Sequence, residues 1–262
     1  MEKLRFLSGS GGFYKTVILL AAGVGIGLFF QQHSQIPTTS STFEYNSASA
    51  QNALKPIVNS TTNTQDLNAD SDNDGLSNTD ELIFNSSPND PDTDGDGYQD
   101  GQEIANGYSP TAKSPSDKIL TIPSDNEIII TTESSATAIQ NYFSQSQTPA
   151  LLKDAMIYQQ MIKDAQAGDN KKLNEIIKAM QDSQAMLKKI SAPSEVKLIH
   201  KLSIGIMQPI IDSFINLRDI KSNPETLDNF YKEIQLLAPF SNYLKSKTDI
   251  IKIKYNLTNT ND

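Results

Sequence analysis

Two stretches of twelve residues, DSDNDGLSNTDE beginning at Asp70 and DTDGDGYQDGQE beginning at Asp92, carry acids, a glycine and a closing glutamate at the same offsets. Acids crowded this closely repel one another, so the arrangement is costly unless a cation sits among them or water solvates every charge. Both stretches satisfy D-x-[DN]-x-[DN]-G-x5-E, and that spacing has a specific chemistry. Ca²⁺ takes roughly six to eight oxygens in a loose sphere, alternating short carboxylates wrap it, and a glycine at the sixth position lets the backbone turn sharply. The first loop offers Asp70, Asp72 and Asp74 at positions one, three and five, the carbonyl of Leu76 at seven, Asn78 at nine and Glu81 at twelve. The second offers Asp92, Asp94, Asp96, the carbonyl of Tyr98, Asp100 and Glu103. Position nine acts through a water, and the final glutamate closes the sphere with both oxygens. The expectation is two structural Ca²⁺ ions; Mg²⁺, smaller and stricter in geometry, suits so crowded a cage poorly.

The elements that position these ligands have little room. Leu82 to Pro91 is all that separates Glu81 from Asp92, and Pro88 and Pro91 fall within it. An exiting and an entering helix cannot both fit there, and the chain before Asp70 is polar rather than amphipathic. The spacing therefore predicts compact calcium loops with at most one short helical turn after each, not paired EF-hands. Leu82, Ile83, Phe84 and Ile104 are nearly the only residues available for packing, so folding of this segment is expected to depend on bound metal.

The run DGLSNTDELIFNSSPNDPDTDGDGYQDGQE resembles the bacterial repeats similar to thrombospondin type 3. Asp70 and Asp92 stand one period apart, and Pro88 recurs as Pro110 at the same period. The resemblance covers residues 67–112. It implies calcium-stabilised spacer modules in surface or secreted proteins, with ions forming much of the core. Asn78 and Thr79 stand where the family often has an acid or a glycine, which implies weaker binding at the first loop than at the second.

Charge isolates the same segment. The chain carries a formal −9, and Asp70 to Glu103 alone contributes −11 with no basic residue. No basic patch suits nucleic acid. Cys is absent, which removes disulfides, thiolate metal sites and cysteine catalysis.

Residues 1–30 begin with Lys3, Arg5 and Lys15 and continue in an uncharged apolar run, Thr16 to Phe30. They are read as a membrane anchor, a single-pass transmembrane helix with its basic end cytoplasmic and the bulk of the chain extracytoplasmic. A cleaved signal peptide leading to secretion is the alternative. Residues 31–68, rich in Ser, Thr, Asn and Gln, read as a disordered tether. The calcium module spans 69–112, and 113–132 reads as a linker with a short strand in EIIITTE. Residues 133–256 read as an all-α helical bundle, with 257–262 a disordered tail.

In the bundle, Ser134 or Ser135 caps a helix with Ile139, Tyr142 and Phe143, and Gly168 separates two later helices. A long helix from about Ser194 to Lys221 is expected to kink at Pro209, and a last one after Asn223 and Pro224 to bend or break at Pro239. The fold class is mainly α. His200, read as a partly exposed helix residue, has no partner motif, and metalloprotease, nucleophile-elbow and phosphate-loop signatures are absent. The favoured function is a non-enzymatic spacer that presents a helical domain to an unknown protein partner or to a second copy. The alternative is a surface or secreted hydrolase using paired carboxylates in that domain.

Overall fold

The computed structural model describes residues 69–146 and 155–257, together with the backbone of residues 19–21 and 24–26. Of the expected membrane helix, only β1 (Leu19–Ala21) and β2 (Val24–Ile26) fall among these, as a short antiparallel pair. The rest of that expectation, the tether and the last five residues lie outside the described residues.

The described chain is mainly helical. Helices α1 (Asn78–Phe84) and α2 (Asp100–Asn106) follow the two acidic loops. Then come β3 (Ile129–Thr131), α3 (Ala136–Gln145), α4 (Ala155–Ala167), α5 (Lys171–Leu187), β4 (Ser191–Pro193), α6 (Lys197–Asn216) and α7 (Glu225–Lys254). Ser135 caps α3 by accepting from the Ala138 amide, as the sequence suggested.

The bundle is built around α6. Ile199, Leu202, Ile206, Ile210 and Phe214 are buried on the expected stripe, but Ser203, Ile204, Gly205, Met207 and Ile211 are buried as well, so the helix is covered on nearly every side. With its flanks, Ser194–Asp219 is long and apolar enough to cross a membrane, yet it lies mostly buried within this bundle. Helix α5 packs Leu173, Ile176, Ile177, Met180 and Leu187 against it. Helix α7 brings Phe230, Ile234, Leu237, Phe240 and Leu244. Phe214 and Phe230 meet edge to face at 5.0 Å.

Several local expectations change. Helices α1 and α2 are each 7 residues long, nearly two turns rather than one. A left-handed residue ends each, Asn85 (φ 59°) and Gly107 (φ 84°), and this termination fits α1 into the space between the loops. Helix α7 runs through Pro239 without interruption, because packing of Leu237, Phe240 and Leu244 outweighs one missing backbone bond. Between α5 and α6, Ser191–Pro193 forms β4 and pairs in parallel with β3.

The presumed linker is instead a packed strap. The Ile119 and Leu120 amides both donate to the Gly107 carbonyl at 2.8 Å. Leu120 is buried, and Ile122 presses so closely on α6 that a Cβ at Gly205 would sit 2.8 Å from its Cδ1.

Module and bundle thus share one hydrophobic core, which includes Leu76, Phe84 and Ile104 from the module. Phe84 enters edge to face between Phe240 and Tyr243 of α7, with ring centroids 5.1 and 5.5 Å away. Beside it Lys247 pairs with the buried Asp80 carboxylate at 2.5 Å. Leu82, expected to pack, points to solvent. Phe84→Ala is expected to destabilise the calcium-loaded protein by about 3 kcal/mol in chemical denaturation, the usual cost of deleting a buried ring. A loss below about 1 kcal/mol would contradict the shared core.

Candidate metal centre

The two loops repeat their backbone as well as their residues. The Asp70 carboxylate accepts from the Gly75 amide at 3.1 Å, and Asp92 accepts from Gly97 at 2.9 Å. Asp74 accepts from the Leu76 amide at 2.7 Å, and Asp96 from that of Tyr98 at 3.0 Å. Gly75 and Gly97 have φ of 99° and 101°, a conformation that a side chain resists, which is why glycine stands at the sixth position. A backbone bond closes each loop where its helix begins, from Asn78 to the Ala69 carbonyl and from Asp100 to that of Pro91.

The closing glutamates carry the strongest signal. Glu81 is fully buried and Glu103 is 3% exposed, and neither oxygen of either carboxylate has a hydrogen-bond partner. Both oxygens of Asp72 and Oδ2 of Asp94 are also buried without one. Buried carboxylates left so cost several kcal/mol unless something positive joins them. Asp70, Asp72 and Asp74 can each aim an oxygen within 4.8 Å of the others, and Asp92, Asp94 and Asp96 do the same. All-oxygen donors converging at this spacing fit a hard divalent cation.

The electrostatics agree. Burial first, then the neighbouring aspartates, pushes Glu81 up to about 7 and Glu103 up to about 8. Burial likewise raises Asp74, Asp94 and Asp100 above the usual carboxylate range. Leu76 buries its side chain whereas the Tyr98 ring is exposed, so the seventh position is constrained through its backbone and not through its side chain.

Position nine opens the helix after each loop. Asn78 is buried at the start of α1. Asp100 is fully buried and uses both oxygens on Thr93, accepting from its amide at 2.8 Å and its hydroxyl at 2.6 Å. It braces its loop at the position that the sequence pattern gives to a ligand acting through water. Asp80, which looks like one more acid of the cluster, instead forms a capping box with Ser77 and pairs with Lys247.

Two contacts escaped the sequence. The second oxygen of Asp74 reaches across the repeats to accept from the Gly101 amide at 2.9 Å. A Cβ at Gly101 would lie 2.4 Å from the Asp74 carbonyl oxygen, so the repeats meet only if residue 101 has no side chain. The corresponding oxygen of Asp96 accepts from Ser114 at 2.9 Å.

Residues 70–91 and 92–107 match the bacterial TSP3 repeat family. These two segments are bacterial TSP3 repeats. Such repeats bind calcium, and the clustered aspartates here are suited to hold it. The chain matches no curated protein and no solved structure.

In α6, His200 is fully buried, with Nδ1 3.2 Å from the Tyr142 hydroxyl. The partly exposed position read from the sequence is therefore corrected. Burial lowers its pKa to about 4, so it stays neutral at ordinary pH.

Two tests follow from the geometry. Raised carboxylate pKa values favour the calcium-free fold fully below about 4.5, and that contribution is lost as pH rises through about 7 and about 8. Ca²⁺ must displace those protons, so calorimetry in buffers of different ionisation enthalpy is expected to show proton release at pH 7 and rising affinity up to about pH 8. No proton release would contradict the burial of the glutamates. Gly101→Ala is expected to lower the melting temperature in calcium by several degrees, because the repeats must separate to admit the methyl group; an unchanged melting curve would exclude the close approach.

Proposed function

We propose that this chain is a non-enzymatic, membrane-anchored extracytoplasmic protein whose two repeats each hold one structural Ca²⁺ and brace a helical domain that meets a protein partner or a second copy. The observation that carries the calcium part is the pair of buried glutamates, Glu81 and Glu103, whose four carboxylate oxygens have no hydrogen-bond partner inside loops of calcium-binding sequence. Asp70, Asp72, Asp74 and Glu81 would hold the first ion, and Asp92, Asp94, Asp96 and Glu103 the second, with the Leu76 and Tyr98 carbonyls. The ions supply charge neutralisation: two would reduce the −11 of Asp70 to Glu103 to about −7.

The bracing role is supported by the shared core at Phe84 and the Asp80–Lys247 pair. The anchor and orientation rest on the basic start and apolar run of residues 1–30. Affinities of about 10⁻⁴ to 10⁻³ M suit sites filled outside the cell and left empty within it.

Calorimetric titration of the full chain in detergent is expected to show two ions, with Glu81→Gln and Glu103→Gln each weakening one site about tenfold or more. Absence of heat and of any thermal shift at millimolar Ca²⁺ would overturn the proposal. Protease added to intact cells is expected to digest the helical domain, and its protection would contradict the orientation.

A further inference from the structure

A third group of carboxylates lies where the second repeat meets the strap. Asp96, Glu103 and Asp117 each present an oxygen, and these lie within 4.8 Å of one another. Asp117 stands outside the residues that match the repeat family. It is 3% exposed, and its Oδ1 has no hydrogen-bond partner, like both oxygens of Glu103 beside it. Of the two lysines of this segment, Lys113 donates to the Gly95 carbonyl at 3.5 Å on the Asp94 side of the loop, and Lys118 lies over the Tyr108 ring.

Two buried carboxylates with orphaned oxygens, set at this spacing beside the half-buried Asp96, require a positive partner. Oxygens on opposite sides of one calcium ion are separated by about 5 Å, twice the metal–ligand distance, so a single ion fits among them. Asp96 also belongs to the group formed with Asp92 and Asp94, so both groups share a ligand and can address the same ion. We propose that Asp117 is a ligand of the second repeat's calcium ion and closes that site from outside the repeat. This rests on the calcium reading above.

The consequence is mechanical. Asp117 is fixed by its carbonyl, which accepts from the Ser109 amide at 2.9 Å, and Ile119 and Leu120 just beyond it bond to Gly107. Leu120 and Ile122 then pack on α6 at Gly205. The second ion therefore pins the strap between repeat and bundle, and its site gains a carboxylate. Among the described residues, the group at the first loop, Asp70, Asp72 and Asp74, has no such addition.

The test is calorimetric titration of the full chain in detergent with Ca²⁺, for the wild type, Asp117→Asn and Asp90→Asn, the last removing one exposed charge from the same module. Two ions are expected in each protein. Asp117→Asn is expected to weaken one site about tenfold or more and leave the other unchanged, while Asp90→Asn changes neither by more than about twofold. In calcium, trypsin is expected to cut after Lys118 slowly in the wild type and rapidly in Asp117→Asn. If melting curves show that Asp117→Asn does not fold, Asp117→Glu keeps the charge but moves the oxygens, and one altered affinity is again expected. Two unchanged affinities, or loss of a separate third ion with two others untouched, would overturn this inference and leave calcium binding intact. A wild type that takes up no calcium would instead overturn the reading from which it starts.

Discussion

A carboxylate taken out of water must keep a proton, find donors or meet a cation, and Glu81 and Glu103 are buried with no donors at all. Everything around them follows from that constraint. The aspartates at alternating positions turn oxygens toward the same point, and the left-handed glycines let the chain double back around it. The helices that begin at Asn78 and Asp100 carry each glutamate back over its loop. A cation at that point converts repulsion into the chief attraction of a segment with few apolar side chains.

The same constraint explains how the repeats join the rest of the molecule. Only three module residues of any size enter the common core, Leu76, Phe84 and Ile104, and each sits beside or within a loop or its helix. Their placement depends on loops that hold their shape. Phe84 can reach Phe240 and Tyr243 only if α1 is formed, and Lys247 offsets the buried Asp80 carboxylate. The shape of the loops and the docking of the module on α7 are therefore linked through one shared core.

The helical domain obeys a plainer rule. Its central helix is apolar on almost all sides and is wrapped by α5, α7 and the strap. His200 and Tyr142 meet inside it as a neutral pair, since nothing there supports a charge. Serines on buried faces bond back to their own helix, as Ser203 does to Ile199 and Ser213 to Pro209.

Local spacing was enough to reveal the calcium loops, the glycines at their turns and the cap at Ser135, because each depends on residues a few positions apart along one element. Through-space relations were not legible. Nothing in the order of residues says that Asp80 answers to Lys247, that Asp100 braces Thr93, that Gly101 lies under Asp74, or that SAP pairs with the strand at Ile129. These depend on which surfaces face each other after the chain has collapsed, and many backbone paths are compatible with one local pattern. The sequence alone determined that two loops can each take a cation; the tertiary structure decided that these loops are built into the wall of the helical domain, because only packing brings Phe84 and the strap against α6 and α7.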